Sequence, residues 1–257
     1  LDTIAAESGI DFSRPVFGML TNVMWDAQLH YPANAFPDMR DWVMKTIAYF
    51  KGRPELQLVI RVHPAEIRGT TPSRQPIARE IGRYFPRLPP NVVVIPPESR
   101  VSTYAVMEKC NAVIIYGTKT GVELAAMGIP IVAAGEAWIR DKGIALEAAS
   151  EQDYYRLLDR LPLPEKMSYE TVARAKKYAY HFFFRRMIPV AHFEKNPWRR
   201  LIKAPYVMRI KSLKDLMPGR DRGLDIICEG ILRGGDFIYP AEETGEASRS
   251  VTVPGPA

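Results

Sequence analysis

The sequence predicts an α/β fold: a doubly wound, mainly parallel, Rossmann-like sheet with a helical C-terminal extension. Three observations carry that prediction. Five short apolar runs, each closed by Pro, Gly or another turn former, recur between Pro15 and Ala134, as suits strands buried on both faces. Segments of helical spacing lie between them, giving the order β-α-β-α-β-α-β-α-β. The last repeat, Asn111–Glu136, compresses a strand, a Gly-flanked turn, a helix and a second strand into one βαβ unit. Its two strands are expected to be parallel.

Taken in order, Leu1–Arg14 is weakly patterned and reads as a linker or the remnant of an N-terminal domain. Pro15–Val23 is the first strand. A loop rich in turn formers follows, and Asp38–Phe50 then carries Trp42, Val43, Thr46, Ile47 and Phe50 at helical spacing, with Gly52-Arg53-Pro54 to end it. Leu56–Val62 is the second strand and Pro64 stops it. After the polar loop Ala65–Pro72, Gln75–Phe85 is a helix with Pro76 near its first turn. Asn91–Ile95 is the third strand and Ser102–Cys110 a short helix. Strands Ala112–Tyr116 and Ile131–Ala134 flank a helix over Thr120–Met127. Beyond Gly135 the sequence reads as a loop over Ala137–Ala148, then helices over Glu151–Arg160 and Ser168–Phe184. Pro189–Pro218 is irregular and basic, Leu224–Arg233 is a last helix, and Ala241–Ala257 reads as a disordered tail. The expected division is a Rossmann-like domain over 15–160, a basic helical extension over 161–240 and the tail.

At 257 residues and 47% apolar, the chain can bury a full core. It begins at Leu1 without a signal-peptide pattern, which suggests a fragment or a processed product. No apolar run reaches the about 20 residues of a membrane span. Cys110 and Cys228 lie far apart without metal-ligand spacing and suggest inert thiols in a reducing compartment. From Lys166 to Arg222 there are 15 Lys and Arg against 4 Asp and Glu, which leaves the rest of the chain net acidic. A basic third of this kind suits an anionic membrane surface, a polyanionic substrate or nucleic acid, or is simply a solvated face.

The candidate chemistry gathers where strands end, because ligands of open α/β sheets bind at the carboxyl edge. His63 closes the second strand ahead of Pro64, so extended backbone should project it from that edge. It can bond a phosphate or titrate near neutral pH, or merely cap a loop. Arg61, Arg68 and Arg74 lie nearby. The turn Gly117-Thr118-Lys119-Thr120-Gly121 combines two glycines, two hydroxyls and an ammonium at a strand-to-helix junction, a reasonable phosphate cradle. It is not a P-loop, since Thr118 stands where a glycine is required. No G-x-G-x-x-G follows the first strand. Glu123, one turn into the helix, reads either as a sugar-hydroxyl ligand or as a favourable helix-dipole charge. Asn22, Trp25 and Asp26 follow the first strand; Asp26 is a candidate base or an Asx-turn residue. Asp26 and His30 make a weak metal pair without a third ligand, so no metal is expected. Glu136, Trp138 and Arg140 would complete the pocket wall. No G-x-S-x-G elbow is present.

Together these residues resemble the capsule polysaccharide biosynthesis glycosyltransferase family, in its C-terminal donor-binding half. The segments that carry the resemblance are Thr21–His30, Leu58–Glu66 (LVIRVHPAE), Asn91–Glu98, Ile114–Gly143 and Tyr178–Arg186 (YAYHFFFRR). The resemblance implies a GT-B architecture in which two Rossmann-like domains face each other. It implies that His63 contacts the donor phosphate, that Thr118 and Thr120 add phosphate contacts, and that Glu123 sits near the ribose. It further implies a CMP- or UDP-linked nucleotide sugar as co-substrate, with no other cofactor, and a glycan or glycolipid acceptor. An N-terminal acceptor domain would be its partner, with no role for nucleic acid. The expected location is the cytoplasm, with peripheral contact at the inner face of the cell membrane. Two rival readings are a GT-B-like nucleotide-sugar epimerase and a non-enzymatic module docking at the polysaccharide export machinery.

Overall fold

The computed structural model describes residues 9–25, 31–68, 73–196 and 206–244. The chain divides into two compact units, the first running to Tyr178 and the second beginning at Ala179.

The first unit is built on six strands: Val16–Leu20 (β1), Gln57–Arg61 (β2), Val92–Ile95 (β3), Ala112–Ile115 (β4), Ile131–Ala133 (β5) and Leu146–Glu147 (β6). All pairings are parallel, in the order β3-β2-β1-β4-β5-β6. The predicted doubly wound α/β sheet is therefore present. The chain builds outward from β1 to β3, then returns to place β4 on the other side of β1. That reversal opens a crevice beyond the carboxyl ends of β1 and β4, the switch point where such sheets bind ligands. The sixth strand falls within the stretch expected to be loop, because two residues show no readable period.

β1, β2, β4 and β5 are buried at every residue, which explains their continuous rather than alternating apolar character. The helix Met39–Lys51 starts where the Asp38 side chain accepts the Asp41 amide, satisfying one free backbone N–H of the first turn. It buries Met39, Trp42, Val43, Thr46, Ile47 and Phe50, the stripe its spacing predicts. The apolar ones among them join Phe17, Leu58, Ile60 and Tyr116 in the main core. On the other face, the short helix Thr103–Met107 packs against Gly18 so closely that a Cβ there would lie 2.2 Å from the Met107 sulfur. The loop Ala65–Pro72 opens with a helical turn, Ala65–Arg68. Residues 161–178 also belong to this unit: Asn111 exchanges two hydrogen bonds with the backbone of Leu163, at 2.9 and 2.8 Å, and Leu161 and Ala175 are buried.

The second unit is not wholly irregular. Phe193–Lys195 (β7) and Tyr206–Met208 (β8) pair antiparallel, inside a stretch expected to lack regular structure. A 3₁₀ turn at Leu213–Leu216 is closed by a Ser212/Asp215 capping box. The helix Arg222–Arg233 is capped by Asp221, whose carboxylate accepts the Leu224 and Ala191 amides. Ala241–Thr244 forms a helical turn where a disordered tail was expected; the rest of that tail lies outside the described residues. Cys110, in the first unit, is buried and its thiol pKa is pushed up to about 12, whereas Cys228, in the second, is exposed; both are free. Among the described residues no helix is long and apolar enough to cross a membrane.

Candidate functional site

Four loops meet beyond the carboxyl ends of β2, β1, β4 and β5 and enclose a cleft of about 530 Å³. Asn22, His63, Gly117, Thr118, Lys119, Thr120 and Glu136 all line it. The structure therefore brings these seven candidate residues together around one cleft. Asp26 and His30 lie outside the described residues.

His63 is held by its own local backbone. Its amide donates to the Thr21 hydroxyl at 3.2 Å, and its Nδ1 accepts the Ala65 amide at 3.1 Å. A ring nitrogen that accepts carries no proton, so in the neutral imidazole the proton sits on Nε2. Pro64 makes this possible by holding His63 extended before the Ala65 turn. In the turn after β4, the Thr118 oxygen accepts the Thr120 amide at 3.3 Å, which leaves its hydroxyl proton to donate. Lys119 is exposed and makes no ion pair among the described residues. Asn22, just beyond β1, is 6% exposed, and its Oδ1 finds no partner among the described residues. A buried acceptor left unpaired costs free energy, and this one borders the cleft.

The wall beyond β5 is braced against the loop 31–36. The Glu136 amide donates to Asn34 Oδ1 at 2.8 Å, the Ala35 amide to the Ala134 carbonyl at 2.8 Å, and the Tyr116 hydroxyl to the Phe36 carbonyl at 2.9 Å. Gly135 allows this approach, since a Cβ there would lie 2.6 Å from the Tyr116 carbonyl oxygen. Tyr31 and Trp138 complete the lining. Arg140 serves the loop itself, donating to the Ala148 carbonyl at 3.1 Å.

Arg61 and Glu123 are placed differently. Arg61 is 5% exposed and its guanidinium donates to the Thr103 hydroxyl at 3.3 Å and to the carbonyls of Ser99 at 3.2 Å and Pro96. Burial, and then the charge of Arg68, lower its pKa. It straps β2 to the 96–103 loop and lines a smaller neighbouring cleft of about 120 Å³, not the main one. Glu123 accepts a hydrogen bond from the Tyr104 hydroxyl. Burial, followed by that bond to Glu123, raises the Tyr104 pKa. Glu123 does not line the main cleft.

Tyr31, Tyr104 and the bracing role of Asn34 emerge only in the folded chain. None lies in a recognisable motif, and each meets its partner only through the fold. For Asn34 the one available signal was its place in a turn-rich loop, where an Asn side chain often bonds backbone amides.

No family model and no curated protein matches this chain. Among solved structures it is similar to a UDP-N-acetylglucosamine 2-epimerase, at 14% identity over 64% of this chain and 38% of that one, with a TM-score of 0.36. It is also similar to the glycosyl transferase family 9 protein of Veillonella parvula, at 16% identity over 69% of this chain and 49% of that one, with a TM-score of 0.37. The chain spans less than half the length of either.

Proposed function

We propose that the cleft binds a nucleotide-activated sugar, and that the chain is the donor-binding half of a GT-B glycosyltransferase of capsule or other surface polysaccharide assembly. The observation that carries this reading is the convergence of His63, Thr118, Lys119 and Thr120 on one cleft at the sheet's switch point. An imidazole N–H, two hydroxyls and an ammonium together match the oxygens of a phosphate ester. They are also what a departing nucleotide phosphate needs, because charge that grows as the glycosidic bond breaks is stabilised by donors already in place. Asn22 adds an unpaired acceptor, suited to a hydroxyl or N–H of the ligand close to its phosphate. A CMP- or UDP-linked donor, a glycan or glycolipid acceptor and an acceptor-binding partner domain complete the proposal.

An epimerase of the same architecture would need an acid/base pair within the cleft. Asp26 and Glu123 are the carboxylates that could form it; Glu123 accepts the Tyr104 hydroxyl outside the main cleft, and Asp26 lies outside the described residues.

Titration calorimetry with CMP, UDP and GDP tests the reading. Saturable binding of one nucleotide is expected. His63→Ala should weaken it about 10-fold or more, as expected for a hydrogen bond to a charged group. Thr118→Ala should likewise weaken it about 10-fold or more, since its hydroxyl would donate to the same charged phosphate. Absence of saturable binding, or binding indifferent to both substitutions, would overturn the reading.

A further inference from the structure

The two ends of the cleft differ in chemistry. Its β2–β4 side carries the donors His63, Thr118 and Thr120 and the cation Lys119. Its β5 side carries two aromatic rings and a carboxylate: Tyr31 at 45% exposure, Trp138 at 62%, and Glu136. Resting on the nucleotide-sugar reading, we infer that the β5 side is a subsite for a neutral ring bearing hydrogen-bond donors. The ring stacks on Trp138 or Tyr31 while the Glu136 carboxylate accepts from its edge.

Three features argue for this. A phosphate is repelled by the Glu136 carboxylate and attracted by Lys119, so an anionic ligand is oriented with its charge toward β4. Large aromatic rings are normally buried, yet Trp138 lies outward between Ala137 and Ile139, which are 6% and 0% exposed. The neighbours on either side anchor the backbone, and Trp138 between them lines the cleft. The loop is also pre-organised. The Trp138 carbonyl accepts the Tyr178 hydroxyl, and the Glu136 amide is held by Asn34. A ligand ring therefore meets a formed platform and does not have to order one.

Both ends of a nucleotide sugar offer such a ring: the nucleobase, and the transferred pyranose. The experiment separates them. The nucleotide that the wild type binds, its sugar conjugate, and inorganic pyrophosphate are titrated into wild type, Trp138→Ala, Trp138→Phe and Glu136→Gln, with circular dichroism confirming the fold of each variant. Loss of a stacking ring is expected to weaken ring-bearing ligands about 5- to 100-fold, the range seen for base–aromatic stacking. Trp138→Phe should recover most of that loss, and pyrophosphate affinity should change less than twofold. A loss already present with the free nucleotide assigns the platform to the base. A loss confined to the conjugate assigns it to the sugar. Equal weakening of pyrophosphate, or no weakening of any ligand by Trp138→Ala, would overturn the subsite while leaving nucleotide binding standing. A wild type that binds no nucleotide would instead refute the reading on which the subsite rests.

Discussion

The two units bury their apolar residues very differently. In the first, strands β1, β2, β4 and β5 have no exposed residue, and Trp42, Ile47, Phe50, Leu58 and Ile60 sit in one continuous core. In the second, only Tyr239 and Ala241 are buried apolar residues among those described, while Phe193, Tyr206, Met208, Leu213, Met217, Ile231 and Leu232 are exposed. The second unit is ordered largely by polar links: Asp221 receives two amides, Asp215 receives those of Lys211 and Ser212, and the Tyr239 amide reaches the Arg185 carbonyl. Similar residue types thus do different work. In the first unit area removed from water stabilises the fold; in the second, hydrogen bonds fix local shape and the apolar side chains face outward.

The sharpest way to test this contrast is to cut into the core. Trp42 has no exposure, and its indole N–H donates to the Tyr154 hydroxyl at 3.2 Å. Trp42→Ala removes the ring, opens a cavity and leaves that hydroxyl with one partner fewer, so a loss of about 3–5 kcal/mol is expected. Denaturant unfolding followed by circular dichroism measures it. A loss under about 1 kcal/mol would mean that the first unit does not depend on its core as described.

A smaller effect is expected at the junction of core and cleft. Gly135→Ala would force a Cβ to within 2.6 Å of the Tyr116 carbonyl oxygen and 3.0 Å of Asn34 Oδ1. Neither can yield without moving the brace between β5 and the 31–36 loop. Overpacking of this kind typically costs about 1–3 kcal/mol. Because the same brace positions Glu136 and Trp138, nucleotide affinity should fall along with stability. A variant that loses stability but keeps full affinity would separate the brace from the site.

The contrast between the units also explains what could be read from the sequence. The five main strands were legible because a strand buried on both faces is a short apolar run between turn formers. The hairpin was not: Phe-Glu-Lys and Tyr-Val-Met are too short and too mixed to show a period of two. In the cleft, His63, Thr118 and Glu136 were legible because each follows a strand, and strand ends locate the ligand edge. Arg61 and Glu123 stand outside the main cleft. Each stands near the right edge, but the Ser99 and Pro96 carbonyls that hold Arg61, and the Tyr104 hydroxyl that holds Glu123, come from elements distant in sequence. A charged residue at a strand end is a candidate ligand only until the fold shows what else can reach it. Tyr31 shows the converse: it enters the site because the 31–36 loop is tied to β5, a contact made more than one hundred residues away in the chain.

The smallest effect is expected where the second unit exposes its side chains. Tyr206 and Lys195 face each other across the hairpin, as do Phe193 and Met208, and all four side chains lie on the same exposed face. Exposed positions without a buried partner usually change stability by less than about 0.5 kcal/mol. Tyr206→Ala, and Phe193→Ala with it, should therefore leave the unfolding midpoint nearly where it was, in contrast to Trp42→Ala. A loss above about 1 kcal/mol from either would show that this face is covered in solution, for instance by a second copy of the chain. Repeating the measurement across a range of protein concentrations would then show whether the stability depends on association. If it does not, the outward-facing aromatics contribute to folding in a way that exposure alone fails to capture, and the division of labour between the two units would have to be redrawn.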